Sequence, residues 1–167
     1  MNGLNGGSIL GIGEHILIPG GTTTSAAAEQ STPAPSSPSA ATVSATALGI
    51  IQLTEHMLGV RYIWGGASPS GFDCSGLVEY VYAQVAHLSL PHASLIQFEM
   101  GQSVSMANLQ PADLVFFNTD GPGATHDGIY IGSGQFISAQ TPATGVQWGS
   151  LYSAYWKEHY IGARRIL

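Results

Sequence analysis

Cys74 is the only cysteine in the chain, and the residues around it set it at the start of a helix. Asp73 is a good N-cap, Phe72 can staple onto Leu77, and apolar Leu77, Val78, Val81 and Val85 continue a helical stripe. In the first turn, unpaired backbone N–H groups and the positive end of the helix dipole favour a thiolate, the nucleophilic form of the side chain. A lone cysteine is otherwise a small buried hydrophobe, so chemistry here requires a base.

Of the six histidines, His126 is placed for that task. It opens the strand His126-Asp127-Gly128-Ile129-Tyr130-Ile131, in which His126, Gly128 and Tyr130 share one face and Asp127, Ile129 and Ile131 the other. Small Gly128 beside His126 suggests open space for a substrate or for Cys74. A third group should orient the imidazole through its second nitrogen. If Gly132-Ser133-Gly134 is a three-residue hairpin loop, Ile131 pairs with Gln135, which sets Gln140 opposite His126 and Ser138 opposite Gly128. Either side chain could accept from the ring, and a two-residue loop would turn both away. His15, His56, His87 and His159 read as surface or packing residues. No His, Cys, Asp and Glu set stands at ligand spacing, so neither a metal nor another cofactor is expected.

The elements that must position these residues follow from the pattern along the chain. Residues 1–20 are Gly-punctuated and close on Ile16-Leu17-Ile18; residues 21–45 are a Ser/Thr/Ala/Pro-rich linker that cannot offset its ordering entropy by burial. From about Thr46 a helix carries Leu48, Ile51, Leu53, Met57 and Leu58, and the Cys74 helix should run to about Ala86. A short helix near residues 94–100 precedes β-branched and aromatic runs at 113–118, 126–132, 135–139, 145–148 and 159–166. Helices followed by strands predict an α+β domain over residues 46–167. With 8% charged residues and a formal net charge of -6, the chain lacks the basic surface that binds nucleic acid. No stretch reads as a transmembrane span or a signal peptide, so any export signal is expected upstream in a longer protein.

Residues 1–20 resemble the second half of a LysM module, a small fold that binds glycan chains, through Asn2-Gly3-Leu4 and Ile18-Pro19. More specifically, Tyr62-x-Trp64-Gly65-Gly66, Asp73-Cys74-Ser75-Gly76, Asp113-Leu114-Val115-Phe116-Phe117 and His126-x-Gly128-Ile129-Tyr130-Ile131-Gly132 resemble the successive motifs of NlpC/P60 cysteine peptidases. The resemblance implies a papain-like fold, with N-terminal helices packed on a central antiparallel sheet. It implies Cys74 as nucleophile, His126 as general base, and the Cys74 amide with the Tyr62 hydroxyl as oxyanion donors. Asp73 and Ser75 would line the pocket for the stem peptide, with Trp64 and His92 nearby. Two departures stand out. The family's third catalytic position, commonly His, falls on Ser138 with Gln140 two residues on, and His92 stands where the family often has Arg.

The implied activity is hydrolysis of peptidoglycan stem peptides between D-iso-glutamate and diaminopimelate or lysine, by a secreted or wall-associated monomer. The LysM-like part would add contact with glycan strands. A wall-binding scaffold that has lost activity, and an amidase or acyltransferase using the same Cys/His pair, are the alternatives.

Overall fold

In the computed structural model, residues 40–167 are described, with side chains from residue 45 onward. The LysM-like residues 1–20 and the linker as far as residue 39 lie outside this range. Helix α1 spans Ala40–His56, so residues 40–45, read as linker, are helical; the chain turns out of α1 at Gly59, whose φ of 80° suits glycine. A two-strand ribbon, β1 (Ala67–Ser68) and β2 (Gly71–Phe72), leads into α2 (Cys74–Val85). Asp73 caps α2 by accepting from the Gly76 N–H at 2.7 Å. Helix α3 (Ser94–Phe98) follows.

The remaining strands are β3 (Gln102–Val104), β4 (Leu114–Phe117), β5 (His126–Gly132), β6 (Gln135–Thr141), β7 (Gly145–Ser150) and β8 (Tyr160–Arg165). They form one antiparallel sheet in the order β3-β8-β4-β5-β6-β7. Alternation along each strand gives the sheet two apolar faces. Leu114, Phe116, Ile129, Ile137 and Ala139 pack against Ile50 of α1 and Leu77, Val78 and Val81 of α2. Val115, Phe117, Tyr130 and Phe136 form the second core, against which Trp156 of α4 (Ala154–His159) packs. This is the expected α+β architecture, with helices against an antiparallel sheet. Both α4 and β3 are additions to the sequence reading. Among the described residues no helix is long and apolar enough to cross a membrane.

The β5-β6 hairpin differs from expectation in a way that preserves its consequence. Gly132 pairs with Gln135, leaving a two-residue loop of Ser133 and Gly134, with φ of 53° and 75°. Two successive positive φ values are the signature of a tight turn matched to strand twist. A bulge between Tyr130 and Gly132 absorbs one residue, so Ile129 still faces Ile137 and Tyr130 still faces Phe136. Ser138 therefore stays on the His126 face. Gly128, however, does not open space beside His126. A Cβ there would lie 2.7 Å from Phe136 Cδ2 and 3.0 Å from Ser138 Cβ, so the glycine permits close packing of β6.

Candidate active site

The start of α2 is held by a tight turn. Gly66 N–H donates to Ile63 O at 2.9 Å, and Gly65, with φ 71°, donates its N–H to Asp73 Oδ2 at 2.8 Å. Asp73 N–H returns a bond to Gly66 O at 2.9 Å. The approach is close enough that a Cβ on Gly76 would stand 2.1 Å from Gly66 O. Asp73 is thus heavily engaged: besides the Gly65 and Gly76 amides it has His92 Nε2 at 2.8 Å and the Ser75 hydroxyl at 3.4 Å. His92 Nδ1 stands 3.3 Å from Glu79 Oε2 without a hydrogen bond to it, so the imidazole lies between two carboxylates and is bonded to Asp73 alone among them.

Cys74, His126 and Tyr62 line one groove of roughly 1290 Å³, together with Trp64, Asp73, Ser75, His92 and Gln140. Ser138 lies beneath it, fully buried. Of the two candidates for orienting His126, Ser138 is the one in contact, its Oγ 3.1 Å from His126 Nε2. Gln140 is turned along the sheet, donating to Trp148 O at 3.3 Å and accepting from Gln147 Nε2 at 2.6 Å. The strand alternation brought both residues to the correct face; side-chain reach separates them. A second, apolar pocket of roughly 680 Å³ beside α1 holds neither thiol nor histidine.

The electrostatics correct one expectation. Burial, and secondarily the charge of Asp127, push the Cys74 thiol up to about 12, although the Ser94 hydroxyl and the Asp127 backbone N–H lower it. Burial likewise pushes His126 down to about 4. The resting pair is therefore a neutral thiol and a neutral imidazole; desolvation outweighs the helix start. Tyr62 is pushed up to about 12 by burial and by Cys74 and Asp73, so its hydroxyl keeps its proton and can donate.

Three further residues shape the site. Ser94 Oγ is 3.5 Å from Cys74 Sγ. Trp156 stacks on His126 with ring centroids 5.4 Å apart and planes at 26°. Asp127 is fully buried, and burial raises its carboxyl to about 7. The only sequence signal for Asp127 was its place on the strand face opposite His126, which α2 turns out to cover. A largely buried base, a thiol at a helix start and a protonated hydroxyl lining one groove are the parts required for acyl transfer through sulfur.

The NlpC/P60 family model matches residues 59–165. Over 118 residues the chain is 42% identical to Murein DD-endopeptidase MepH of Escherichia coli (strain K12), covering 67% of this chain and 43% of that protein. It is also 42% identical over 118 residues to Gamma-DL-glutamyl hydrolase of Bacillus subtilis (strain 168), covering 70% of this chain and 28% of the relative. The chain thus spans less than half the length of these two relatives. Among solved structures, an NlpC/P60 family protein from Bacillus cereus ATCC 10987 superposes with a TM-score of 0.68 at 36% identity, covering 72% of this chain and 40% of that one.

Proposed function

Because this chain belongs to the NlpC/P60 family, we propose that it is a cell-wall hydrolase that cleaves peptidoglycan stem peptides through a Cys74 thioester. The observation that carries this reading is the convergence of Cys74, His126 and Tyr62 on one groove. Relatives bearing the names murein DD-endopeptidase and gamma-DL-glutamyl hydrolase support the substrate class.

In the tautomer this reading requires, the His126 proton sits on Nε2 and is donated to Ser138, which leaves the Nδ1 lone pair to accept the thiol proton as sulfur attacks the amide carbonyl. The Sγ–C bond forms while the oxyanion is met by the Cys74 N–H and the Tyr62 hydroxyl. Imidazolium then protonates the departing amine. Water, deprotonated by the same ring, cleaves the thioester and restores the thiol. Burial disfavours both charged forms at rest, so in this reading the proton leaves sulfur as the Sγ–C bond forms. The bond we assign is that between D-iso-glutamate and diaminopimelate or lysine, and the compartment we propose is outside the cytoplasm, at the wall.

Mass spectrometry of defined muropeptides incubated with the wild-type chain and with Cys74→Ala tests this. Cleavage after D-iso-glutamate that disappears in the variant is the expected result. Cleavage between two D-residues instead would reassign the bond, and no cleavage of any stem peptide would overturn the hydrolase reading.

A further inference from the structure

Asp127 occupies a position that the proposed mechanism leaves unused. Its side chain projects from β5 on the face covered by α2, and both carboxyl oxygens are buried without a hydrogen-bond partner among the described residues. The donors nearest it are the Cys74 thiol and the Ser94 hydroxyl. From β4 it is opposed by Phe116. The charged groups acting on it from the packed elements are Asp73 at the head of α2, which disfavours its ionisation, and His92 before α3, which favours it; His92 is itself hydrogen-bonded to Asp73 and stands near Glu79. A carboxylate in such a place has lost its water, and the Ser94 hydroxyl and Cys74 thiol beside it offset only part of that loss, so burial holds its proton above the usual range.

We infer that Asp127 gates the nucleophile by its charge: as a neutral acid it lets Cys74 give up its proton, and as a carboxylate it holds the thiol protonated. The inference rests on the thioester reading above. In the permitted state the Cys74 S–H proton passes to His126 as the Sγ–C bond forms, while Asp127 keeps its own proton and faces the sulfur with an O–H. In the blocked state, developing negative charge on sulfur meets a second negative charge in a poorly solvated space. Asp127 acts through Cys74 and is a positioning residue. Its ionisation near neutrality sets an upper pH limit on thiol reactivity.

The test is the rate of iodoacetamide alkylation of Cys74 in the 167-residue chain, followed from about pH 5 to about pH 9 for wild type and Asp127→Asn. At about pH 8 the variant should react about tenfold faster or more, the change produced by one pKa unit, with the advantage vanishing below about pH 6. Comparison at each pH cancels the contributions of the other charged groups of the site, which both proteins retain. Parallel profiles would overturn the gate, as would a variant slower at every pH, the mark of Asp127 as a base. If Asp127→Asn does not fold, difference infrared spectroscopy of the wild type decides instead: a protonated carboxyl band lost near pH 7 is expected, and its absence at pH 5 refutes the inference. Alkylation needs no peptide. Divergent profiles with no muropeptide cleavage would therefore remove the hydrolase reading alone, and cleavage with parallel profiles would remove the gate alone.

Discussion

His126 Nε2 and Ser138 Oγ face each other at 3.1 Å across neighbouring strands, both side chains buried. The neutral hydroxyl fixes the ring without offering a charge to an imidazolium. Ser138→Ala should therefore lower kcat by about tenfold, the worth of one lost hydrogen bond, with KM little changed. Gln140→Ala should change kcat by less than about twofold, since its bonds run to Trp148 and Gln147. Steady-state hydrolysis of a muropeptide measures both, and a larger loss for Gln140→Ala would reverse the assignment.

Stability should depend on pH in a manner set by two buried groups. Asp127 holds its proton to about 7 when folded against 3.8 unfolded, so it withdraws stability as pH rises through that window. His126 stays neutral down to about 4 against 6.5 unfolded, so it withdraws stability as pH falls from 6.5 to about 4. Each effect is on the order of 3 to 4 kcal/mol, and between about pH 4 and 6.5 they cancel. Asp127→Asn should retain only the His126 slope. Urea unfolding at about pH 4.5, 6.5 and 8 should show the variant gaining stability with pH where the wild type stays flat; identical profiles would contradict the burial argument.

Gly76→Ala tests the contact between α2 and the Trp64-Gly65-Gly66 turn. The added carbon would meet the Gly66 carbonyl at 2.1 Å, and that carbonyl is fixed by the Asp73 N–H. A loss of about 2–4 kcal/mol in thermal unfolding is expected, together with reduced hydrolysis, because the displaced turn borders Tyr62. A variant of unchanged Tm would show the turn to be yielding.

Away from the groove, Arg165 grips Asp113 with two nitrogens, Nε to Oδ1 at 2.8 Å and Nη2 to Oδ2 at 2.7 Å. Asp113 is almost wholly buried, and Arg165→Met would leave it the Gln110 N–H but no charged partner, at a cost of about 3 kcal/mol. Arg165→Lys, keeping charge but losing the fork, should cost about half as much. Chemical denaturation of the two variants gives the ratio, and equal losses would make the bidentate geometry irrelevant.

Much of this was legible from pattern alone. The cap at Asp73, the stripe from Leu77 to Val85 and the bounds of β5 follow from local propensity and period, which packing reinforces. The β5-β6 register was anticipated from a loop of the wrong length, because a bulge, invisible to a period-two count, restored it. Helix α4 escaped because six residues offer too few turns for periodicity, although Ser153 caps it by accepting from the Trp156 N–H. The resting charge of Cys74 was misjudged for another reason. Helix position is written locally in the sequence, whereas desolvation and the approach of Asp127 arise only when α2 is laid on the sheet.

The stack of Trp156 on His126 has a consequence in entropy. A histidine on an open surface samples several rotamers, and selecting one during reaction adds to the barrier. Here Trp156 covers one side of the ring and Ser138 holds its tip, so that freedom is surrendered when the chain folds. Helix α4 is thus a short clamp whose contribution is lost motion, and loosening it should slow turnover without removing any group that reacts.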